Sequence, residues 1–248
     1  MKATDGLDEL YELSEGTFAC RLLAGNDHPT LTVAEQIAAK VGDRILDGDL
    51  TQGSRIIEQD IATEFQVSRG PVREALWILE RENLVVLLPR RGAVVTQLTV
   101  EDVTELFEIR TGLHDVLARK MMASQIPEYT KAMRAGVLRL QELARLEDDN
   151  GRYAEMTYRM ALIGARLSGN SRLFKMIAGI SLETLRYSKL GLASRSRRLA
   201  SIKLWKKKLD ALERGDLDAY VEVTRQAIEG SCREAVRMME NAPATPRV

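Results

Sequence analysis

Val67-Ser68-Arg69-Gly70-Pro71-Val72-Arg73-Glu74-Ala75-Leu76 is the stretch whose reading decides the fold. Ser68 is a residue type that caps helix N-termini, and Pro71 falls in the first turn, where a missing N–H costs little. Val72, Ala75, Leu76 and Leu79 recur at i, i+3, i+4 and i+7, so one stripe of a helix over Arg69–Glu82 is buried. Arg69 and Arg73 lie one turn apart and off that stripe. The first-turn N–H groups stay available to a phosphate, and an arginine there can fork onto guanine. Gly70, between the two arginines, permits close backbone approach to a ligand.

Reading outward from this helix, Gln66-Val67-Ser68 joins it to a shorter helical stretch, Glu58–Phe65, preceded by a short segment around Ser54–Ile57. Farther upstream, Thr32 and Glu35 have capping-box spacing, and Ile37, Val41 and Ile45 continue as a helix that stops at Asp47-Gly48-Asp49. Downstream, Leu84–Leu88 and Ala93–Thr96 read as strands joined by the turn Pro89-Arg90-Arg91-Gly92. Helix, helix, helix and hairpin over residues 31–98 predict a winged helix-turn-helix that docks on double-stranded DNA. The charge is local rather than global. Residues 31–98 carry eight basic against ten acidic side chains, whereas Val67–Gly92 carries five against three, at the helix start and the hairpin tip.

Residues 1–30 carry two basic and six acidic side chains and three scattered glycines, and read as a flexible arm with one short helix around Leu7–Leu13. From Thr99 onward no strand is predicted. Thr99-x-x-Asp102 opens a long helix, and breaks at Asp149-Asn150-Gly151, Ser168-Gly169-Asn170 and Gly215-Asp216 divide residues 99–241 into an all-α bundle of six helices, with a frayed tail over 242–248. The expected fold class is mainly α, with the small β-hairpin as the wing. Thirty-six basic residues balance thirty-six acidic ones, the two cysteines lie far apart, and the two histidines are His28 and His114. No disulfide framework, zinc ribbon, membrane span or secretion signal is expected, which leaves a reduced, cytoplasmic protein. No nucleophile, nucleotide or metalloprotease motif is present, so an enzyme is not expected.

Ile45-Leu46-Asp47-Gly48-Asp49-Leu50, Gly53-Ser54-Arg55-Ile56, the Val67–Leu76 run, Leu79-Glu80 and Pro89-Arg90-Arg91-Gly92 together resemble the DNA-binding domain of the GntR superfamily of bacterial regulators. Leu106-Phe107-Glu108-Ile109-Arg110, Ser168-Gly169-Asn170 and Arg214-Gly215-Asp216 are similar to landmarks of its FadR-type helical effector domain, the FCD domain. The resemblance implies a dimeric, ligand-controlled transcription factor on a palindromic operator, with repression as the expected output. It assigns DNA contacts to Ser68, Arg69, Gly70, Pro71 and Arg73 on the helix and to Arg91 and Gly92 on the wing, beside Arg90 at the hairpin tip. The rival from another class is a helical ligand-binding or scaffold protein whose winged helix mediates protein contacts.

The effector site is sought along the first long helix. Its inward stripe is Val103, Leu106, Phe107, Arg110, Leu113, His114, Leu117 and Met121, so Arg110 falls among apolar residues. A guanidinium there needs a carboxylate, from another helix or from a bound ligand. Many relatives of this type hold a divalent ion with an Asp and three His. Counting from the landmarks puts the Asp position at Thr157, the first His position at Ala161 and the others near Trp205 and Ala227, and no histidine follows His114. No metal and no cofactor are expected. The expected effector is a small organic anion, a carboxylate or CoA thioester, bound by Arg110, His114, Thr157, Arg186 and Tyr187. Arg186–Lys208 holds nine basic residues and no acid, which leaves a solvated face, a second DNA contact or an anion clamp open, with the Lys206–Lys208 cluster judged too dense to bury.

Overall fold

A computed structural model describes residues 16–25, 30–89, 91–124 and 126–241. Arg90, the expected Leu7–Leu13 helix and the tail 242–248 lie outside the described residues. The chain divides into two compact units with the break between Leu98 and Thr99.

The first unit opens with α1 (Thr17–Gly25), inside the segment expected to be a flexible arm. That expectation is corrected: α1 packs on α2 (Val33–Asp47), with Phe18 fully buried and its N–H donating to Asp43 Oδ1 at 2.9 Å. A Cβ at Gly42 would sit 2.7 Å from the Phe18 ring, so the glycine makes room for it. Arg21 then pairs with Glu82 at 2.8 Å, both side chains mostly buried. The capping box of α2 is present in both directions between Thr32 and Glu35, and Gly48 ends the helix at φ 89°.

Next come β1 (Arg55–Ile56), α3 (Glu58–Glu64) and α4 (Arg69–Arg81). The α3–α4 turn closes through Gln66 at φ 54° and a bond from Val67 N–H to Ala62 O at 3.0 Å. Val72, Ala75, Leu76 and Leu79 are all buried against α2. The wing strands β2 (Val85–Leu88) and β3 (Gly92–Val95) form a hairpin, and β1 adds to its other edge, giving an antiparallel sheet in the order β1-β3-β2. Gly92 has φ 82°, and a Cβ there would lie 2.3 Å from Ile56 O. Only glycine lets the wing turn come that close to β1.

The second unit has seven helices among the described residues: α5 (Val100–Ser124), α6 (Pro127–Leu143), α7 (Arg152–Leu167), α8 (Ser171–Glu183), α9 (Leu185–Gly191), α10 (Arg195–Arg214) and α11 (Leu217–Glu240). Six were expected. The extra break falls at Thr184, with neither proline nor glycine to announce it, and splits the helix predicted over Asn170–Leu190 into α8 and α9. Asn170 and Asp216 cap α8 and α11 through their side chains. Helix α11 packs against α5, α9 and α10, while α6, α7 and α8 close the other side. Arg198, fully buried, ties the α6–α7 loop to the α9–α10 turn: it bonds the carbonyls of Leu146, Glu147 and Ala193 and pairs with Asp149 at 3.1 Å. No helix among the described residues is long and apolar enough to cross a membrane.

Candidate functional site

Arg69 and Arg73 project from the first turns of α4, and both are exposed. Ser68 holds the N-cap position in extended backbone, but its hydroxyl makes no capping bond, so the first-turn N–H groups are not consumed by it. Arg69 donates through Nε and Nη2 to Gln59 Oε1, at 2.9 and 2.7 Å, and Arg73 Nε donates to Glu58 Oε2 at 2.9 Å. Both arginines are thus held at defined angles by the start of α3. Arg55 Nε and Nη2 clasp the Arg91 carbonyl at 3.0 and 2.9 Å, fixing the tip of the wing. Arg55, Glu58, Gln59, Arg69, Arg73, Arg91 and Gly92 line one open depression. Of the residues assigned from sequence, Arg69, Arg73, Arg91 and Gly92 therefore come together, with Ser68, Gly70 and Pro71 beside them along α4. Arg55, Glu58 and Gln59 were not assigned from the sequence, because Glu58 and Gln59 act by holding the α4 arginines and Arg55 by holding the Arg91 carbonyl. A Cβ on Gly70 would meet nothing nearer than Ser68 Oγ at 3.9 Å, so the fold itself does not demand glycine there.

The helical unit holds a cavity between α5, α6, α7, α10 and α11, of about 540 Å³ including space open to solvent. Arg110, His114, Thr157 and Lys208 line it together with apolar side chains that include Met133, Met160 and Ile228. Arg110 is 8% exposed and pairs with no carboxylate among the described residues. Its Nη1 donates to the hydroxyls of Thr184 and Ser188 at 3.2 and 3.1 Å, and its Nε has no partner. Burial brings its pKa down to about 10. His114 is also buried with Nε2 unpartnered, and burial, then Arg110 and Lys208, hold it neutral, well below the usual histidine range.

Lys208 corrects the expectation that its cluster could not be buried. It is 7% exposed, its ammonium stands 4.8 Å from the Trp205 ring centroid and 4.9 Å from that of Tyr220, and burial followed by Arg110 lowers its pKa to about 7. Tyr220 and Tyr129 hydrogen-bond each other through their hydroxyls, and burial pushes Tyr129 up to about 12. Arg186 and Tyr187 do not line the cavity. On α9 the hydroxyls of Thr184 and Ser188, one turn apart, face Arg110, and residues two or three positions on from Thr184 point elsewhere. Thr157 does line it, although its hydroxyl donates to Ala154 O at 2.7 Å. The basic run is likewise no uniform solvated face. Lys189 pairs with Glu155 at 2.6 Å, Arg195 with Glu147 at 3.1 Å, and Arg198 is buried, while Lys203, Lys206 and Lys207 are exposed.

Thr157, Ala161, Trp205 and Ala227, the four positions counted from the landmarks, all line this one cavity. The counted positions therefore meet at one cavity, but a hydroxyl, two methyl groups and an indole do not fit a divalent ion. Two cationic side chains, Arg110 and Lys208, stand in the same cavity instead.

The chain matches the family described as bacterial regulatory proteins, gntR family, over residues 33–95, and the FCD domain over residues 105–230. It belongs to the FCD-domain branch of the GntR family. This GntR-family chain is 36% identical over 96 residues to the gluconate operon transcriptional repressor of Bacillus subtilis, spanning 39% of each chain. It is 32% identical over 101 residues to the transcriptional repressor RspR of Escherichia coli, spanning 41% of this chain and 44% of that one. The matched stretch thus spans about two fifths of those curated relatives. Among solved structures it superposes on McbR/YncC of E. coli with a TM-score of 0.73 at 18% identity, over 86% of this chain and all of that one. A putative GntR regulator of Rhodococcus sp. RHA1 gives 0.63 at 20% identity, over 85% and 99%. At these identities the two structures show the shared fold. The matched families and the named relatives are of transcriptional regulators, not enzymes.

Proposed function

We propose that this GntR-family chain is a ligand-responsive repressor that binds a palindromic operator as a homodimer and releases it when a small organic anion occupies the helical cavity. The observation that carries the reading is a cavity lined by the buried side chains of Arg110, His114 and Lys208, with no carboxylate partner for Arg110 or Lys208 among the described residues. Uncompensated buried cations are costly, and an anion entering the cavity supplies the missing charge. Arg110, Lys208 and the neutral His114 are the proposed effector contacts, with Thr157 beside them.

DNA contact is proposed for Ser68, Arg69, Gly70, Pro71 and Arg73 on α4 and for Arg90, Arg91 and Gly92 at the wing, with the α4 arginines reading bases and the wing gripping the backbone or minor groove. One winged helix covers a single half-site, which favours pairing of two chains. The exposed face of α5 supports such pairing: Ile109 and Val116 are 54% and 52% exposed, and Gly112 between them has open space where a Cβ would stand. Thermal-shift screening of organic acids on the full chain, followed by DNA release assays, tests the proposal. At least one acid is expected to stabilise the protein and lower its DNA affinity, and Arg110→Ala is expected to abolish both effects. Stabilisation and release that survive Arg110→Ala would move the effector elsewhere.

A further inference from the structure

A second cavity lies along α10 and α11, of about 640 Å³ including space open to solvent, and it carries its own positive charge from Arg197 and Arg233. Leu204 and Ala227 line both cavities, so the two adjoin along these side chains. Helical spacing explains the arrangement. Lys208, Leu204, Ser201 and Arg197 fall at steps of four, three and four residues, one stripe along α10 that runs from cation to apolar wall to cation. Gln226, Gly230 and Arg233 make the matching stripe on α11.

The charges of the second cavity are only partly used. Arg197 Nη2 donates to Gly230 O at 2.9 Å, while its Nε is buried without a partner. Gly230 eases this approach, since a Cβ there would lie 3.3 Å from Arg197 Nη2 and the guanidinium would have to shift slightly. Arg233 pairs with Glu229 at 3.5 Å, with side chains 72% and 47% exposed, an ion pair that water screens.

We propose that the effector is an elongated molecule with two anionic ends, one held by Arg110 and Lys208 and the other by Arg197 and Arg233, its apolar middle lying against Leu204 and Ala227. This rests on the anionic-effector reading above and adds the second subsite. Eleven residues of helix separate Lys208 from Arg197, roughly 16 Å at 1.5 Å per residue, which sets the scale of the distance between the two anionic ends.

Calorimetric titration of the full chain with straight-chain α,ω-dicarboxylates of four to fourteen carbons, against monocarboxylates of equal length, tests the inference. One dicarboxylate is expected to bind at least tenfold tighter than its monocarboxylate. Arg233→Ala is expected to collapse that ratio to near one, while Lys206→Ala, which removes an exposed charge from α10, leaves the ratio intact. Equal binding of the two series, or a ratio indifferent to Arg233→Ala, overturns the second subsite. If monocarboxylates bind and depend on Arg110 while dicarboxylates gain nothing, only this inference falls. If neither series binds, or binding ignores Arg110, the anionic-effector reading falls with it.

Discussion

Lys208 is the third lysine of a consecutive triplet, and the triplet hid it. Successive residues on a helix point about 100° apart, so one of three can face inward while Lys206 and Lys207 stay in water. Composition sees a dense charge cluster, and only the tertiary packing of α10 shows which member is enclosed. Arg110 was legible because it interrupts an apolar stripe, whereas Arg186 and Tyr187, just beyond the break at Thr184, are not among the residues that line the cavity. The lowered pKa of Lys208 has a definite sign. Unfolded, the amine titrates near 10.5; folded, near 7. Between those values the unfolded chain binds the extra proton, so this group's contribution to stability rises with pH across that window. Lys208→Met is therefore expected to raise the melting temperature most at pH 6, with the gain shrinking towards pH 9; a gain independent of pH would contradict the assignment. At the other site, Gly70→Ala is expected to leave the fold intact, since a Cβ has room, yet to weaken operator binding if the proposed approach of DNA to that backbone holds. Arg69→Ala should cost ~1–3 kcal/mol on the operator and little on random DNA. Equal losses on both DNAs would show that Arg69 grips the backbone rather than reads bases.

Helices α2 to α4 and the wing strands were readable because each has a local signal: the Thr32–Glu35 box, the Val72–Leu79 stripe and the β-branched runs around a basic turn. Three elements were not. Helix α1 sits in an acidic, glycine-bearing segment, and what orders it is tertiary: Phe18 over Gly42 and the Arg21–Glu82 pair 61 residues apart. Strand β1 is two residues long and exists only because β3 offers an edge. The α8–α9 break turns on Thr184, whose hydroxyl bonds back to Ile180 O at 2.7 Å and also receives Arg110. A break that serves a buried arginine leaves no mark in hydrophobic periodicity. Because Phe18 is fully buried, Phe18→Ala is expected to destabilise the winged-helix unit by ~3–5 kcal/mol. Denaturant unfolding followed through Trp77 fluorescence checks this, Trp77 standing in that unit. A loss below about 1 kcal/mol would mean that α1 adds nothing to the unit.

At the scale of the molecule, a net charge of zero made the partner invisible to composition, and the charge is instead sorted by place. Arg55, Arg69, Arg73 and Arg91 gather at one depression of the winged-helix unit, and Arg110 and Lys208 at one cavity of the helical unit. The two-unit organisation was legible from the capping sequence at Thr99, where the N–H of Thr99 bonds Asp102 Oδ2 at 2.7 Å and the long α5 begins. The effector was not legible, because recognition depends on which side chains several helices bring together. The central claim is that the winged helix reads a specific inverted-repeat sequence. Selection of bound duplexes from random DNA, followed by fluorescence anisotropy on the selected sequence at physiological salt, measures it directly. The account predicts an inverted repeat bound ~10³-fold or more tighter than a scrambled duplex, with the preference reduced by Arg69→Ala; selected and scrambled duplexes of equal affinity would contradict it.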